Sequence, residues 1–92
     1  MPNSPLFSII TVTYNAEKVL ERTVLSVVNQ TYPHVEFIVI DGASKDGTVR
    51  IIRHFETGIR YWVSEADGGI YDAMNKGLKA ASGDYVWFLN AG

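Results

Sequence analysis

Runs of β-branched and aromatic residues alternate along this chain with segments whose apolar residues recur at helical spacing. Phe7-Ser8-Ile9-Ile10-Thr11-Val12-Thr13 has the composition of a strand buried on both faces. Past Tyr14-Asn15 the period changes. Leu20, Val24, Val27 and Val28 then form one stripe of an amphipathic helix that runs to about Gln30. Asn15 is its expected N-cap, and Tyr32-Pro33 ends it. Val35 to Ile40 reads as a second buried strand ending on Asp41, and Thr48 to Phe55 as a short helix. Arg60-Tyr61-Trp62-Val63 is a third strand. The next helix carries the stripe Ile70, Met74, Leu78 and Ala81, and Asp84 to Leu89 is a fourth strand. The order β-α-β-α-β-α-β predicts an α/β fold, a three-layer open parallel sheet with helices on its faces.

In such a sheet, ligands bind beyond the carboxyl ends of the strands. Those ends carry Thr13-Tyr14-Asn15, Asp41-Gly42-Ala43-Ser44, Ser64-Glu65-Ala66-Asp67 and Asn90-Ala91-Gly92. The opposite edge receives Pro33-His34, Thr57-Gly58 and Ser82-Gly83, which are turn-forming residues. One face of the sheet is therefore the working face. Composition narrows what it can do. The 92 residues hold 8 Lys+Arg against 10 Asp+Glu, a net charge of -2, so no nucleic-acid footprint is expected. With no Cys, a disulfide framework and a Cys-based zinc site are excluded. The amino terminus lacks a basic segment followed by an apolar one, and no apolar run approaches the roughly 20 residues of a membrane span. A cytoplasmic chain is expected on that pattern.

Spacing tests several nucleotide motifs. The first strand–helix turn has no glycine, so the dinucleotide fingerprint is absent. Gly42 to Thr48 resembles the start of a phosphate loop, but no Lys follows Gly47, and Asp46 would repel a phosphate. A calcium loop fails because Ala43 and Lys45 stand at ligand positions. What the loops offer instead is recognition of a base and a sugar. Asp41 can accept hydrogen bonds, Tyr14 can form an aromatic wall, and the Gly42–Thr48 loop can hold neighbouring oxygens.

Four ordered blocks resemble family 2 glycosyltransferases. They are Ser8 to Asn15, Gln30-Thr31-Tyr32, Ile40 to Thr48, and Ser64 to Gly77. The resemblance covers essentially residues 1–92 and implies a GT-A fold, with this chain as its nucleotide-binding, Rossmann-like half. It further implies a nucleotide-sugar donor, expected to be a UDP-sugar, a divalent metal (Mn or Mg), and inverting transfer to the hydroxyl of a saccharide or lipid-linked saccharide acceptor. By the same resemblance Thr11, Tyr14, Asn15 and Asp41 hold the nucleoside, Ser44 is a loop contact, and Asp67 and Asn75 line the donor pocket. Two departures stand out. Met74 replaces the Arg often found before the pocket Asn, which leaves Lys76 as the nearby cation. The family's metal-binding Asp-x-Asp is expected where Asn90-Ala91-Gly92 stands. The chain therefore reads as truncated within the domain and inert alone, with no catalytic base of its own. The complete enzyme is expected to act in polysaccharide or glycoconjugate synthesis, peripheral to the inner membrane face.

Other readings remain beside this one. A sugar nucleotidyltransferase would need a Gly-rich, basic loop after the first strand, which Tyr14-Asn15-Ala16 is not. A small non-catalytic nucleotide-binding or interaction module is the second alternative. Asp46 and Thr48 are expected to cap the second helix, and Asp72 stands between a helix-terminal role and the site. Trp62 and Trp87 are expected in the core or an interface, and His34 and His54 are too isolated to bind metal. The resemblance implies a strand order 3-2-1-4, in which Tyr85 to Leu89 forms an apolar sheet edge through which the chain is expected to self-associate.

Overall fold

The computed structural model describes residues 4–91. Strands β1 (Phe7–Thr13), β2 (Val35–Asp41), β3 (Tyr61–Ser64) and β4 (Tyr85–Phe88) alternate with helices α1 (Glu17–Val28), α2 (Thr48–His54) and α3 (Ile70–Ala80). A 3-10 turn, Glu56–Gly58, follows α2. All three strand pairings are parallel, as the alternation of elements predicts, and the order β3-β2-β1-β4 is the one the resemblance implies. β1 and β2 pair from Phe7–Val35 to Thr13–Asp41, so Tyr14 and Gly42 emerge side by side at the carboxyl edge.

Burial on both faces explains the near-continuous apolar runs of β1 and β2. On one face Ile9, Phe37 and Val39 pack under Leu20, Val24 and Val27 of α1 and Ile52 of α2. On the other, Ile10, Ile38 and Ile40 are fully buried with Ala73 of α3. Each such isoleucine contributes about 1.5–3 kcal/mol by leaving water.

The α3 face differs from expectation. Ile70 and Leu78 are 55% and 44% exposed, while the buried positions are Ala73 and Gly77. Close approach is the reason: a Cβ at Gly77 would stand 2.5 Å from Ile10 Cγ2. The helix lies on the sheet through its smallest residues, and its bulkier apolar side chains fall on the flank. α1 also departs in detail. It starts after Ala16, Asn15 makes no capping bond to it, and it ends at Val28.

β4 pairs with β1 alone, so one side of it is an edge. Trp87 is 63% exposed there, which removes it from the core, and Tyr85 and Val86 are also exposed. Trp62 is half-buried against the α1–α2 core. No helix among the described residues is long and apolar enough to cross a membrane.

The amino-terminal edge of the sheet is closed by one buried carboxylate. Glu36 accepts hydrogen bonds from Ser8 Oγ (2.5 Å), Ser82 N–H (2.6 Å) and Ser82 Oγ (2.8 Å). Gly83 N–H donates in turn to Ser8 Oγ at 2.8 Å. Burial alone would push the Glu36 carboxyl up. The Ser8 and Ser82 hydrogen bonds, with the charge of Arg60, outweigh it and hold the group below its ordinary value.

Candidate functional site

The carboxyl ends of β1 and β2 and the loop before α3 enclose a pocket of about 490 Å³. Val12, Thr13 and Tyr14 line it from β1, Gly42 from β2, and Ala66, Asp67 and Gly69 from the β3–α3 loop. Ile70, Ala73 and Ala91 complete it. Asp67 is the only charged residue among them. A smaller depression adjoins across Tyr14, lined by Asn15 and the start of α1.

A hydrogen-bonded web holds the loops around this pocket. Asp41 is wholly buried, and its carboxylate accepts from Ser44 N–H (2.8 Å), Ser44 Oγ (2.5 Å) and Ser64 Oγ (2.7 Å). Ser44 Oγ also accepts from Asn15 N–H at 2.7 Å, and Asn15 Oδ1 accepts from Lys45 N–H at 2.8 Å. Gly42 N–H donates to Thr13 O at 3.0 Å. The two turns are thus clamped together. Both contain a residue in the left-handed region, Asn15 (φ 48°) and Ala43 (φ 66°). For Ala43 this costs about 1–2 kcal/mol, which the clamp sustains.

Asp46 couples the starts of α1 and α2. It accepts from Thr48 N–H at 3.0 Å and Glu17 N–H at 3.3 Å, while Thr48 Oγ1 accepts from Ala16 N–H at 2.9 Å. The Thr48 hydroxyl bond is the main cause that holds the Asp46 carboxyl below its ordinary value. At α3, Asp67 Oδ1 accepts from Gly69 N–H (3.1 Å) and Asp72 Oδ2 from Gly68 N–H (2.9 Å). Asp72 is therefore a helix-terminal group, reaching back to the residue before the Gly69 N-cap.

The residues singled out from the sequence separate into three groups. Tyr14 and Asp67 line the pocket, and Tyr14 is largely exposed as an aromatic wall should be. Asn15, Asp41 and Ser44 form the clamp behind and beside it. Thr11 and Asn75 do not come to the pocket. Thr11 is fully buried within β1, on the face that Ile9 shares with α1. Asn75 is exposed, two residues past Ala73 and so turned well away from the helix's sheet-facing side. Lys76 points to the β3 side, with Nζ 3.4 Å from Glu65 Oε1 and from Ala66 O. Thr13 is the residue that sequence reasoning missed. It lines the pocket, and its buried hydroxyl has no hydrogen-bond partner among the described residues. Its place at the carboxyl end of β1, directly before Tyr14, was the available signal.

A divalent metal does not fit the residues present. Asn90, beyond β4, offers a neutral amide, Gly92 lies outside the described residues, and no group of three metal-ligating side chains occurs among those described.

A parallel sheet with a crevice at its strand switch point, an aromatic wall and one carboxylate defines an open α/β fold of the kind that takes ligands beyond its strand ends. Residues 8–91 match Glycosyl transferase family 2, and the chain belongs to that family. It is 49% identical to an uncharacterized glycosyltransferase of Mycobacterium tuberculosis across 99% of its own length and 35% of that protein's. The chain thus spans about a third of the length of such relatives. Staphylococcus aureus TarS 1–349 in complex with UDP-GlcNAc superposes with a TM-score of 0.83 and 30% identity, over 94% of this chain and 26% of that one. A mannosyltransferase from Pyrobaculum calidifontis, in complex with GDP-Man and Mn²⁺, gives 0.88 and 29%, over 98% of this chain and 28% of that one.

Proposed function

We propose that this chain is the donor-binding part of an inverting glycosyltransferase that uses a UDP-sugar. The observation that carries the reading is the pocket itself. Tyr14 walls it, Asp67 supplies one acceptor, and no cation among the described residues lines it. That lining suits the donors of a base and sugar and repels phosphates, so the diphosphate belongs at the pocket's mouth. Tyr14 and Asp67 contact the nucleoside in this reading. The Asn15–Ser44–Asp41 clamp holds the turn from which Tyr14 projects.

In the complete enzyme an acceptor hydroxyl attacks the anomeric carbon as a carboxylate base removes its proton, and the nucleoside diphosphate leaves with inversion. The acceptor is a saccharide or lipid-linked saccharide, reached at the cytoplasmic face of the membrane. Asp41 is buried behind the pocket, and Asp67 and Asp72 serve the start of α3, so none of them is assigned as that base. The chain alone is inert in this reading. Metal dependence, which the Mn²⁺-containing neighbour supports, belongs to the complete enzyme. The exposed β4 edge is proposed as a surface for self-association.

Calorimetric titration with UDP tests the site. Removing the aromatic wall in Tyr14→Ala is expected to weaken binding by about 1–3 kcal/mol, the size of a base–aromatic stack. Equal affinity of the variant and the parent overturns the assignment.

A further inference from the structure

Away from the carboxyl-edge pocket, basic residues converge on the outer side of β3. That strand pairs with β2 alone, so its other side is a sheet edge. Between this edge and α3 lies an open cleft of about 480 Å³. Its floor is apolar. Val63 and Ala80 pack against the Ile10–Ile38–Ile40 core, and Tyr61 lies exposed beside them. Its rim is basic, with Arg60 from just before β3 and Lys76 and Lys79 from α3. These are three of the 8 Lys+Arg in a chain whose net charge is -2. Glu65 is the one carboxylate in the lining.

The three cations differ in what holds them. Lys76 Nζ stands 3.4 Å from both Glu65 Oε1 and Ala66 O, which fixes it on the β3 side of the helix. Those two partners leave its third N–H to donate. Arg60 and Lys79 make no salt bridge and no side-chain hydrogen bond among the described residues. Lys79 stands in the last turn of α3, where its charge also suits the helix dipole.

We propose that this cleft is a second ligand site, separate from the nucleotide pocket, and that it takes a phosphate ester with an apolar body. The rim meets the phosphate oxygens, the Arg60 guanidinium as a planar fork and the lysines as point charges. A bare anion leaves the floor of Tyr61, Val63 and Ala80 wet, whereas an ester carries an apolar group to cover it. Two sources present that chemistry: a phospholipid head group at a bilayer surface, and a soluble phosphate ester.

Amide NMR shifts during titration with hexyl phosphate, inorganic phosphate and hexanol test the site. Hexyl phosphate is expected to move the amides of Tyr61, Val63, Lys79 and Ala80, and to bind more tightly than the other two. Lys79→Gln should weaken it about tenfold, the worth of one hydrogen bond to a charged group. Arg60 also helps to hold the Glu36 carboxyl ionised, so Lys79→Gln is the cleaner variant. Glu65→Gln should tighten binding severalfold, because it releases Lys76 and removes a repelling charge. Thermal melts establish that each variant is folded. Sedimentation with phosphatidylcholine vesicles, with and without phosphatidic acid, separates the two sources. Binding to the acidic vesicles that Lys79→Gln weakens upholds the site and assigns it to a lipid head group. Binding to hexyl phosphate alone upholds it for a soluble ester.

Silent amides at the cleft overturn the proposal, as does an affinity indifferent to Lys79→Gln. Inorganic phosphate or hexanol binding as tightly as the ester overturns it by removing one half of the ligand. Shifts confined to Tyr14 and Gly42 overturn it in favour of the nucleotide pocket. UDP titration of Lys79→Gln should match the parent, and a parallel loss of UDP binding would show that the two sites are one.

Discussion

Replacing Glu36 with Gln keeps the shape of the side chain and removes only its charge and one acceptor oxygen. Glu36 closes the amino-terminal edge of the sheet, joining β1 through Ser8 and the α3–β4 turn through Ser82. Two of its three donors converge on Oε2. If the Gln oxygen takes that place, its NH₂ faces the Ser82 hydroxyl, which can rotate to accept. If the NH₂ takes it, the Ser82 N–H loses its acceptor and faces another donor. The first arrangement still exchanges charge-assisted bonds for neutral ones, so the expected loss is about 1–3 kcal/mol. Glu36→Ala removes every acceptor and leaves the buried Ser8 hydroxyl without one, so it should cost at least as much as Glu36→Gln, a sizeable share of the about 5–15 kcal/mol that holds a small domain folded.

The pH dependence has a definite sign. The folded carboxyl sits below its ordinary value. Its stabilising contribution is complete above the pKa of the unfolded chain and is lost as pH falls through the lower folded one. Urea unfolding from neutral to acid pH, followed by Trp fluorescence, should show a parent whose advantage over Glu36→Gln shrinks as the solution is acidified. Equal stability at neutral pH, or a difference that widens on acidification, would refute the role given to Glu36.

Three further outcomes follow from other parts of the fold. Gly77→Ala should gain about 1 kcal/mol of helix propensity but lose about 1–3 kcal/mol to overpacking against Ile10, so a rise in melting temperature would contradict the close α3–sheet contact. Sedimentation across a concentration series should show self-association that Trp87→Lys weakens, because an unpaired apolar edge is a pairing template; a concentrated monomer indifferent to that change would sink the edge proposal. Manganese relaxation should reveal no tight stoichiometric site on the apo chain, since Asn90 contributes only a neutral oxygen, and a tight site would show that the metal-fit reading is wrong.

The sequence by itself determined the element order, the parallel sheet and the working face. Local signals suffice there: β-branched runs between glycine-bearing loops, helical periodicity, and polar residues gathered after each strand. The four family blocks lie in those same loops, so the family was legible too. What only the tertiary structure decided depends on groups far apart in the chain. Periodicity chose the bulky stripe of α3, but the helix sits on Ala73 and Gly77 because Ile10, some 67 residues earlier than Gly77, leaves no room for more. Asp41 reads from the sequence as an open acceptor until Ser64, 23 residues on, is seen to occupy it. Glu36 looks like one polar break in a strand, and only folding brings Ser82, 46 residues away, onto its oxygens. The same holds for Asp67, whose position over Gly42 is set by where the β3–α3 loop crosses the sheet edge. Residue type and local spacing carry the architecture. Which carboxylates are buried and which face the pocket is a matter of long-range packing.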